Sequence, residues 1–418
     1  MVQASATFKT ELIDDSGWKI LVASAFGVGL GLSALPFYTI GVFATSLEQA
    51  FGWSRQQVMT STFFMMLANL FFGWVVGVLA DRVGVRLVAI ISQIGLAFGM
   101  AALGLVSDSL TVQYTAWFCM AFVSLGTLPI TWTRGIATWF DKGRGLAFGL
   151  ALMGTGVVGI ISLPVTANLI ELVGWRQTYF VLGLVIPVIA MPLVVLWFRE
   201  KLANTPAGDA PGRPNLPGLT VKEILKNYRF WVMLVAFACV SFGVGGLIPN
   251  LVPLLEGKGL GNKDAAYYGA LIGLAVILGR VVAGYLIDRF WAPLVATAFL
   301  TVPAAACYLL TGPIDSGVLI GTSAVLIGLS AGAEFDLIAF MCTRYFGMKN
   351  YGFVYALQYA SFGFFAGVSP AIFGRTFDAN GSYDAVLGLA GALFLVGPLL
   401  LLTLGKYRSF AVPENTPA

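Results

Sequence analysis

Polar positions are sparse and bunched along this chain. Between them, apolar runs of about 20 residues or more recur from Trp18 to Leu404. At 1.5 Å per residue a helical run of that length crosses a hydrocarbon core about 30 Å thick. The pattern predicts twelve crossing helices, over about 18–44, 56–80, 85–106, 110–138, 143–171, 175–198, 230–254, 264–287, 291–312, 316–343, 350–375 and 383–405. Prolines interrupt several of them (Pro36, Pro129, Pro164, Pro187, Pro303), and glycine is abundant, with 50 copies. Membrane helices use both, glycine for close packing and bent backbone around cavities.

The longest polar interruption runs from Arg199 to Arg229 and holds Pro206, Pro211, Pro214 and Pro217. A polar, proline-rich stretch at mid-chain reads as a linker. It divides the chain into an N-terminal half (1–198), a linker (199–229) and a C-terminal half with a short tail (230–418), six helices to each half. The halves echo each other. Gly77-Val78-Leu79-Ala80-Asp81-Arg82 recurs as Gly284-Tyr285-Leu286-Ile287-Asp288-Arg289, Trp139-Phe140 as Tyr345-Phe346, and Leu47-Glu48 as Leu255-Glu256. The near-constant separation marks a duplicated unit, and duplicated halves imply a central cavity with alternating access. With the N-terminus placed inside, only Arg55, Arg176, Lys258, Lys263 and Arg375 fall in outer loops, and most other basic residues fall inside. That asymmetry puts both termini in the cytoplasm.

Composition narrows the functional classes. The chain is 58% hydrophobic and 11% charged, too apolar for a soluble enzyme or a disordered chain. The net charge of +4 says little about partners, because basic residues in such a chain set topology first, and no nucleic-acid partner is expected. No histidine is present, so proton handling falls to Asp or Glu. No metal-ligand spacing, phosphate loop or nucleophile–base set appears, so neither an enzyme nor a cofactor is expected. The four cysteines fall inside apolar runs without CxxC spacing and read as buried structural thiols.

Four charges inside the spans carry the candidate chemistry. Arg280 lies about seven residues from the end of its span, roughly 10 Å deep. A charge near a helix centre costs on the order of 2.5–3.5 kcal/mol on insertion scales, so it faces a cavity or a partner. A guanidinium grips a carboxylate with two parallel hydrogen bonds. Arg280 is therefore either an anion site or the permanent partner of Asp336 or Glu334. Arg134 sits at similar depth in the fourth span, and is either a second anion contact or a side chain snorkelling to the surface. Glu334 and Asp336, two apart, point to nearly opposite sides of the tenth helix. Asp336 is level with Arg280 and is the expected pairing partner, and either acid is a candidate proton carrier. Tyr38, Asn250, Gln358 and Tyr359 are candidates for polar contacts to a substrate.

The stretch Gly77 to Arg86, GVLADRVGVR, resembles the loop signature of the major facilitator superfamily, and its half-copy at Gly284 to Arg289 strengthens the match. The resemblance implies an all-α fold of twelve transmembrane helices in two pseudo-symmetric halves. It also implies a cytoplasmic gate in which Asp81 and neighbouring basic residues latch the halves together, here Arg82, Arg86 and Arg144, with Asp288 and Arg289 as the second copy. Trp139 to Gly156, WFDKGRGLAFGLALMGTG, is similar to the monocarboxylate transporter family. So, in its bacterial members, are the stretches around Ala333-Glu334-Phe335-Asp336-Leu337 and Arg344-Tyr345-Phe346-Gly347. That family moves small organic anions, often with a proton, and its eighth-helix arginine matches Arg280. Animal members carry an acidic residue four positions earlier, where this chain has Val276, which puts that route of proton coupling in question. The reading is a monomeric, proton-coupled symporter of monocarboxylates in a bacterial inner membrane. An anion exchanger using Arg134 is the alternative within transport, and a non-transporting carboxylate sensor is the alternative outside it.

Overall fold

The computed structural model describes residues 17–140, 144–200, 218–287, 289–313, 316–347 and 349–407. Among them every regular element is helical, apart from one isolated bridge between Gly218 and Gly347. In chain order the helices are α1 (Gly17–Gly29), α2 (Leu35–Phe51), α3 (Arg55–Val83), α4 (Val85–Leu103), α5 (Leu110–Ser124), α6 (Pro129–Ala137), α7 (Arg144–Val185) and α8 (Met191–Trp197) in the first half. After the linker come α9 (Val221–Lys226), α10 (Tyr228–Glu256), α11 (Asn262–Ile287), α12 (Ala292–Leu309), α13 (Gly317–Phe346), α14 (Tyr351–Asn380) and α15 (Asp384–Leu401).

Among the described residues, nine stretches are long and apolar enough to cross a membrane by length and composition. One of them, Leu146–Trp197, holds 52 residues, about twice what one crossing needs. It turns at Gly174, where φ is +81°, a conformation that glycine adopts without a Cβ clash. The fifth and sixth predicted spans meet at that turn.

Two predicted spans are broken. The first divides into α1 and α2 around Leu30–Ala34, and the fourth into α5 and α6 around a 3₁₀ turn at Leu125–Thr127. The breaks meet at Leu32 and Thr127, and side chains of α4 and α6 satisfy more of their freed backbone. Leu32 N–H donates to Thr127 Oγ1 at 2.9 Å, Trp132 Nε1 to the Thr127 carbonyl at 2.9 Å, Gln93 Nε2 to the Gly27 carbonyl at 2.9 Å, and Gly126 N–H to Ser92 Oγ at 3.1 Å. Irregular backbone survives at membrane depth only with such partners.

Two apolar clusters form the interior. One is built from residues of the first half, Ile20 to Phe198. The other is built from the second half, Ile224 to Leu404, and recruits Ala34, Tyr38, Val42, Leu163 and Ala167 from the first. The halves meet where α3 packs on α14, α7 on α11 and α2 on α10. The described end of the linker folds onto the second half. Leu219 N–H donates to the Phe346 carbonyl at 2.9 Å, and Asn350 Nδ2 to the Leu219 carbonyl at 2.7 Å. Large apolar side chains such as Phe98, Leu105, Leu172, Tyr308 and Val318 point outward, as a lipid-facing surface requires. Cys307 and Cys342 are buried as expected, but Cys119 is exposed on that outer surface and Cys239 is only half-buried. An apolar run does not distinguish lipid-facing from inward-facing positions.

Candidate functional site

A cavity of about 150 Å³ lies between the halves. The first half lines it with Ser33, Phe37 and Tyr38 from the broken first span, Met66 and Asn69 from α3, Pro129 from α6, and Leu152 and Thr155 from α7. The second half supplies Val276 and Arg280 from α11, Glu334 and Phe335 from α13, Tyr355, Tyr359 and Phe362 from α14, and a short stretch of α10.

The seam of α11 against α13 positions the charges. A methyl on Gly332 would run into the Val276 carbonyl, and one on Gly279 into the Leu329 carbonyl. These two glycines let the helix backbones touch, which sets Glu334 and Asp336 beside Arg280. Arg280 is 6% exposed, and its Nη1 lies 3.5 Å from Asp336 Oδ1. Among the described residues, neither Nε nor Nη1 has a hydrogen-bond partner. Glu334 is 3% exposed, and its Oε2 has no hydrogen-bond partner either. A buried polar or charged group without hydrogen bonds is costly, so these atoms stand ready to accept a partner.

The structure separates the sequence candidates into groups. Arg280, Glu334, Tyr38 and Tyr359 line the cavity. Asp336 does not line it but pairs with Arg280. Asn250 and Gln358 are fully buried elsewhere. Asn250 donates to the carbonyls of Gly246 at 2.9 Å and Pro370 at 3.3 Å, and Gln358 donates to the Phe230 carbonyl at 3.2 Å. Arg134 lies in the last turn of α6 and is not among the lining residues. Of the gate candidates, Arg82 is exposed, Arg86 donates to the Val195 carbonyl, and Arg289 donates to the Tyr285 carbonyl at 3.1 Å, the last two within their own halves. The side chains of Asp81 and Arg144, and Asp288 as a whole, lie outside the described residues.

Two features escaped the sequence reading. The first is Asn69, an amide midway along an apolar helix, whose isolation there is a legible signal. The second is a polar seal between the halves beside Arg55. Asp378, in the last turn of α14, accepts from the backbone N–H groups of Arg55 at 3.0 Å and Gln56 at 2.8 Å, the free donors at the start of α3. In return, Arg55 Nη1 donates to the Pro253 carbonyl in the last turn of α10 at 2.9 Å. Its Nε and Nη2 hold Glu48 at 2.6 and 2.8 Å, and Nη1 reaches the Tyr383 hydroxyl at 3.3 Å. Beside them Thr45 Oγ1 donates to Glu256, and Asn262 Nδ2 donates to Glu256 Oε1 at 2.8 Å and to the Val42 carbonyl at 3.2 Å. Lys263 pairs with Glu171 at the same end. Glu48 and Glu256, matched in the internal repeat, thus occupy equivalent places in the seal.

Two helical halves packed around a largely apolar cavity that holds a buried cation and a buried acid, closed at one end by a polar seal, have the architecture of a membrane transporter. Residues 26–370 match the family model described as Major Facilitator Superfamily, and the chain belongs to that superfamily. Human monocarboxylate transporter 11 is 26% identical over 96% of this chain and 85% of that protein. Monocarboxylate transporter 13 of Bos taurus is 25% identical over 96% and 92%. An uncharacterized 38 kDa protein of Thermoproteus tenax is 28% identical over 79% and 82%. Among solved structures, the nucleoside transporter NupG, as a mutant, superposes with a TM-score of 0.73 at 12% identity, over 93% of this chain and 99% of that one. A bacterial homolog of the human lysosomal transporter Spinster, inward-facing and occupied, superposes with a TM-score of 0.66 at 18% identity, over 92% and 94%. At these identities the structural likeness is one of fold. The expected fold class is borne out, and the chain is a multi-pass membrane transporter homologous to the monocarboxylate transporters.

Proposed function

We propose that this protein carries small monocarboxylates across the membrane together with a proton, by alternating access. The observation that carries the proposal is the buried guanidinium of Arg280, which lines the inter-half cavity with Nε and Nη1 unbonded. A substrate carboxylate supplies the bidentate acceptor that this group lacks. In taking the guanidinium, the anion displaces Asp336, now 3.5 Å away. Asp336 then loses its counter-ion and takes a proton, so that anion and proton enter as a neutral pair. Val276 stands where animal monocarboxylate transporters carry an acid, and Asp336 occupies the equivalent role from α13.

The two halves rock about the cavity. The end sealed by Arg55, Glu48 and Asp378 faces outward and the linker side faces the cytoplasm, as the basic-residue asymmetry requires. Asp81, Arg82, Arg86, Arg144, Asp288 and Arg289 form the opposing latch, which engages when the Arg55 end opens. The carrier works as a monomer in the bacterial plasma membrane.

Proteoliposomes test the proposal. A radiolabelled monocarboxylate should accumulate when the outside is made acidic, and a protonophore should abolish the accumulation. Arg280→Lys should remove uptake, and Asp336→Asn should leave downhill movement but end its response to the pH gradient. Normal uptake by Arg280→Lys would eliminate it as the anion site. Uptake only into vesicles preloaded with a second anion would make the protein an exchanger.

A further inference from the structure

Arg280 accounts for one end of the cavity. One wall of the remainder is aromatic, and beside it stands an acid, Glu334, whose Oε2 has no hydrogen-bond partner among the described residues. Phe335 is the hub of the aromatic wall, with its ring centroid 5.0 Å from Phe362 and 5.6 Å from Tyr359. Tyr359 in turn stacks on Tyr355 at 6.2 Å, and Phe37 closes the opposite side from the first half. Tilted and offset rings of this kind form a firm apolar surface with a weakly negative face. The cavity volume of about 150 Å³ matches that of engineered apolar cavities that bind benzene. A two- or three-carbon acid would leave most of this wall uncovered.

Glu334 adds a second requirement. It is 3% exposed, faces the same space, and its Oε2 accepts no hydrogen bond. No ion pair joins it to Arg280 among the described residues, and both side chains line the cavity. A ligand that places a donor on Glu334 while its carboxylate occupies Arg280 satisfies both groups at once.

We infer that the substrate of this site is a monocarboxylate with a body the size of one six-membered ring and a hydrogen-bond donor, hydroxyl or ammonium, beside the carboxylate. This rests on the carboxylate reading of Arg280 and sharpens it. Arg280 holds the carboxylate, Glu334 reads the donor, and Phe335 with its neighbours measures the ring.

Calorimetric titration of the detergent-purified full chain with matched acids tests the inference. Mandelate carries ring and donor, phenylacetate the ring alone, lactate the donor alone, and acetate neither. A charge-assisted hydrogen bond and a buried ring are each worth at least about tenfold in affinity, so mandelate should exceed both phenylacetate and lactate by that factor, with acetate weakest. Naphthylacetate, with two fused rings, should not bind. Glu334→Met should still bind phenylacetate, which shows that it folds, and should lose the advantage of mandelate. Phe335→Ala should admit naphthylacetate.

Equal affinity for acetate and mandelate, with both lost in Arg280→Lys, would overturn this inference and leave the carboxylate site standing. Equal affinity for mandelate and phenylacetate, or an undiminished mandelate advantage in Glu334→Met, would also overturn it. Binding of benzyl alcohol as tight as that of mandelate, unaffected by Arg280→Lys, would overturn the carboxylate reading itself.

Discussion

Arg55 and Arg280 are buried to the same degree, each 6% exposed, yet their surroundings are opposite. Arg55 is saturated. Glu48 takes its Nε and Nη2, Pro253 and Tyr383 share Nη1, and the Phe377 ring lies 4.5 Å from the guanidinium carbon. Arg280 has one distant carboxylate and two nitrogens without hydrogen bonds. Burial alone therefore does not distinguish these two cations, whereas the satisfaction of their donors does. The protein completes the first arginine internally, as a brace between halves, and leaves the second open to the carboxylate that we propose it binds.

That contrast can be broken in four places. The largest effect belongs to Arg55→Met. Removing one member of a buried pair and stranding the other costs about 3–5 kcal/mol. Thermal unfolding of the purified variant should fall by many degrees, while any Arg280-dependent ligand binding that survives stays carboxylate-selective. Arg280→Met should do the reverse. Its melting temperature should stay near that of the parent, or rise, because the lost guanidinium had few bonds. Carboxylate binding should drop by a factor corresponding to about 2–5 kcal/mol, read as loss of the ligand-induced rise in melting temperature. A large fall in melting temperature for Arg280→Met would erase the distinction between the two residues.

A third variant probes the seam behind the site. Gly332→Ala pushes a methyl into the Val276 carbonyl and must part α11 from α13. It should cost about 1–3 kcal/mol of stability and weaken ligand binding in parallel, since Arg280 and Asp336 sit on the two sides of that seam. Unchanged melting and binding would mean that the contact is not tight. The smallest effect belongs to Thr45→Val, which deletes the hydroxyl that donates to Glu256. One hydrogen bond at the edge of the seal is worth roughly 0.5–1.5 kcal/mol, and the readout is a modest shift toward the state open at the Arg55 end, seen as faster labelling of a cysteine placed at Tyr38.

The passes themselves were legible because run length and apolarity are local properties of the sequence. Their interruptions were legible only in part. Pro36 and Pro129 stand in the first turns of α2 and α6, just past the breaks, but the groups that complete the freed backbone, Thr127 for Leu32 and Gln93 for Gly27, meet only in the fold. Arg280 was legible because a cation in an apolar run must be explained. Asn250 and Gln358 drew attention for the same reason, but the NH2 group of each donates to a carbonyl of a neighbouring helix, away from the cavity. Arg55 lies at the edge of a span, where a basic residue reads as topology. Its partners, at positions 253, 378 and 383, come together only through the meeting of the halves.

The closure beside Arg55 consists largely of helix ends borrowing partners from across the divide. Asp378 covers the free donors at the start of α3, and Arg55 covers a carbonyl at the end of α10. Water can stand in for every one of those partners once the two lobes separate at that rim. A greasy plug would have to expose hydrocarbon to part, whereas these contacts exchange one set of dipoles for another of similar strength. The rim is thereby suited to repeated unfastening, since neither the fastened nor the hydrated arrangement is a deep trap.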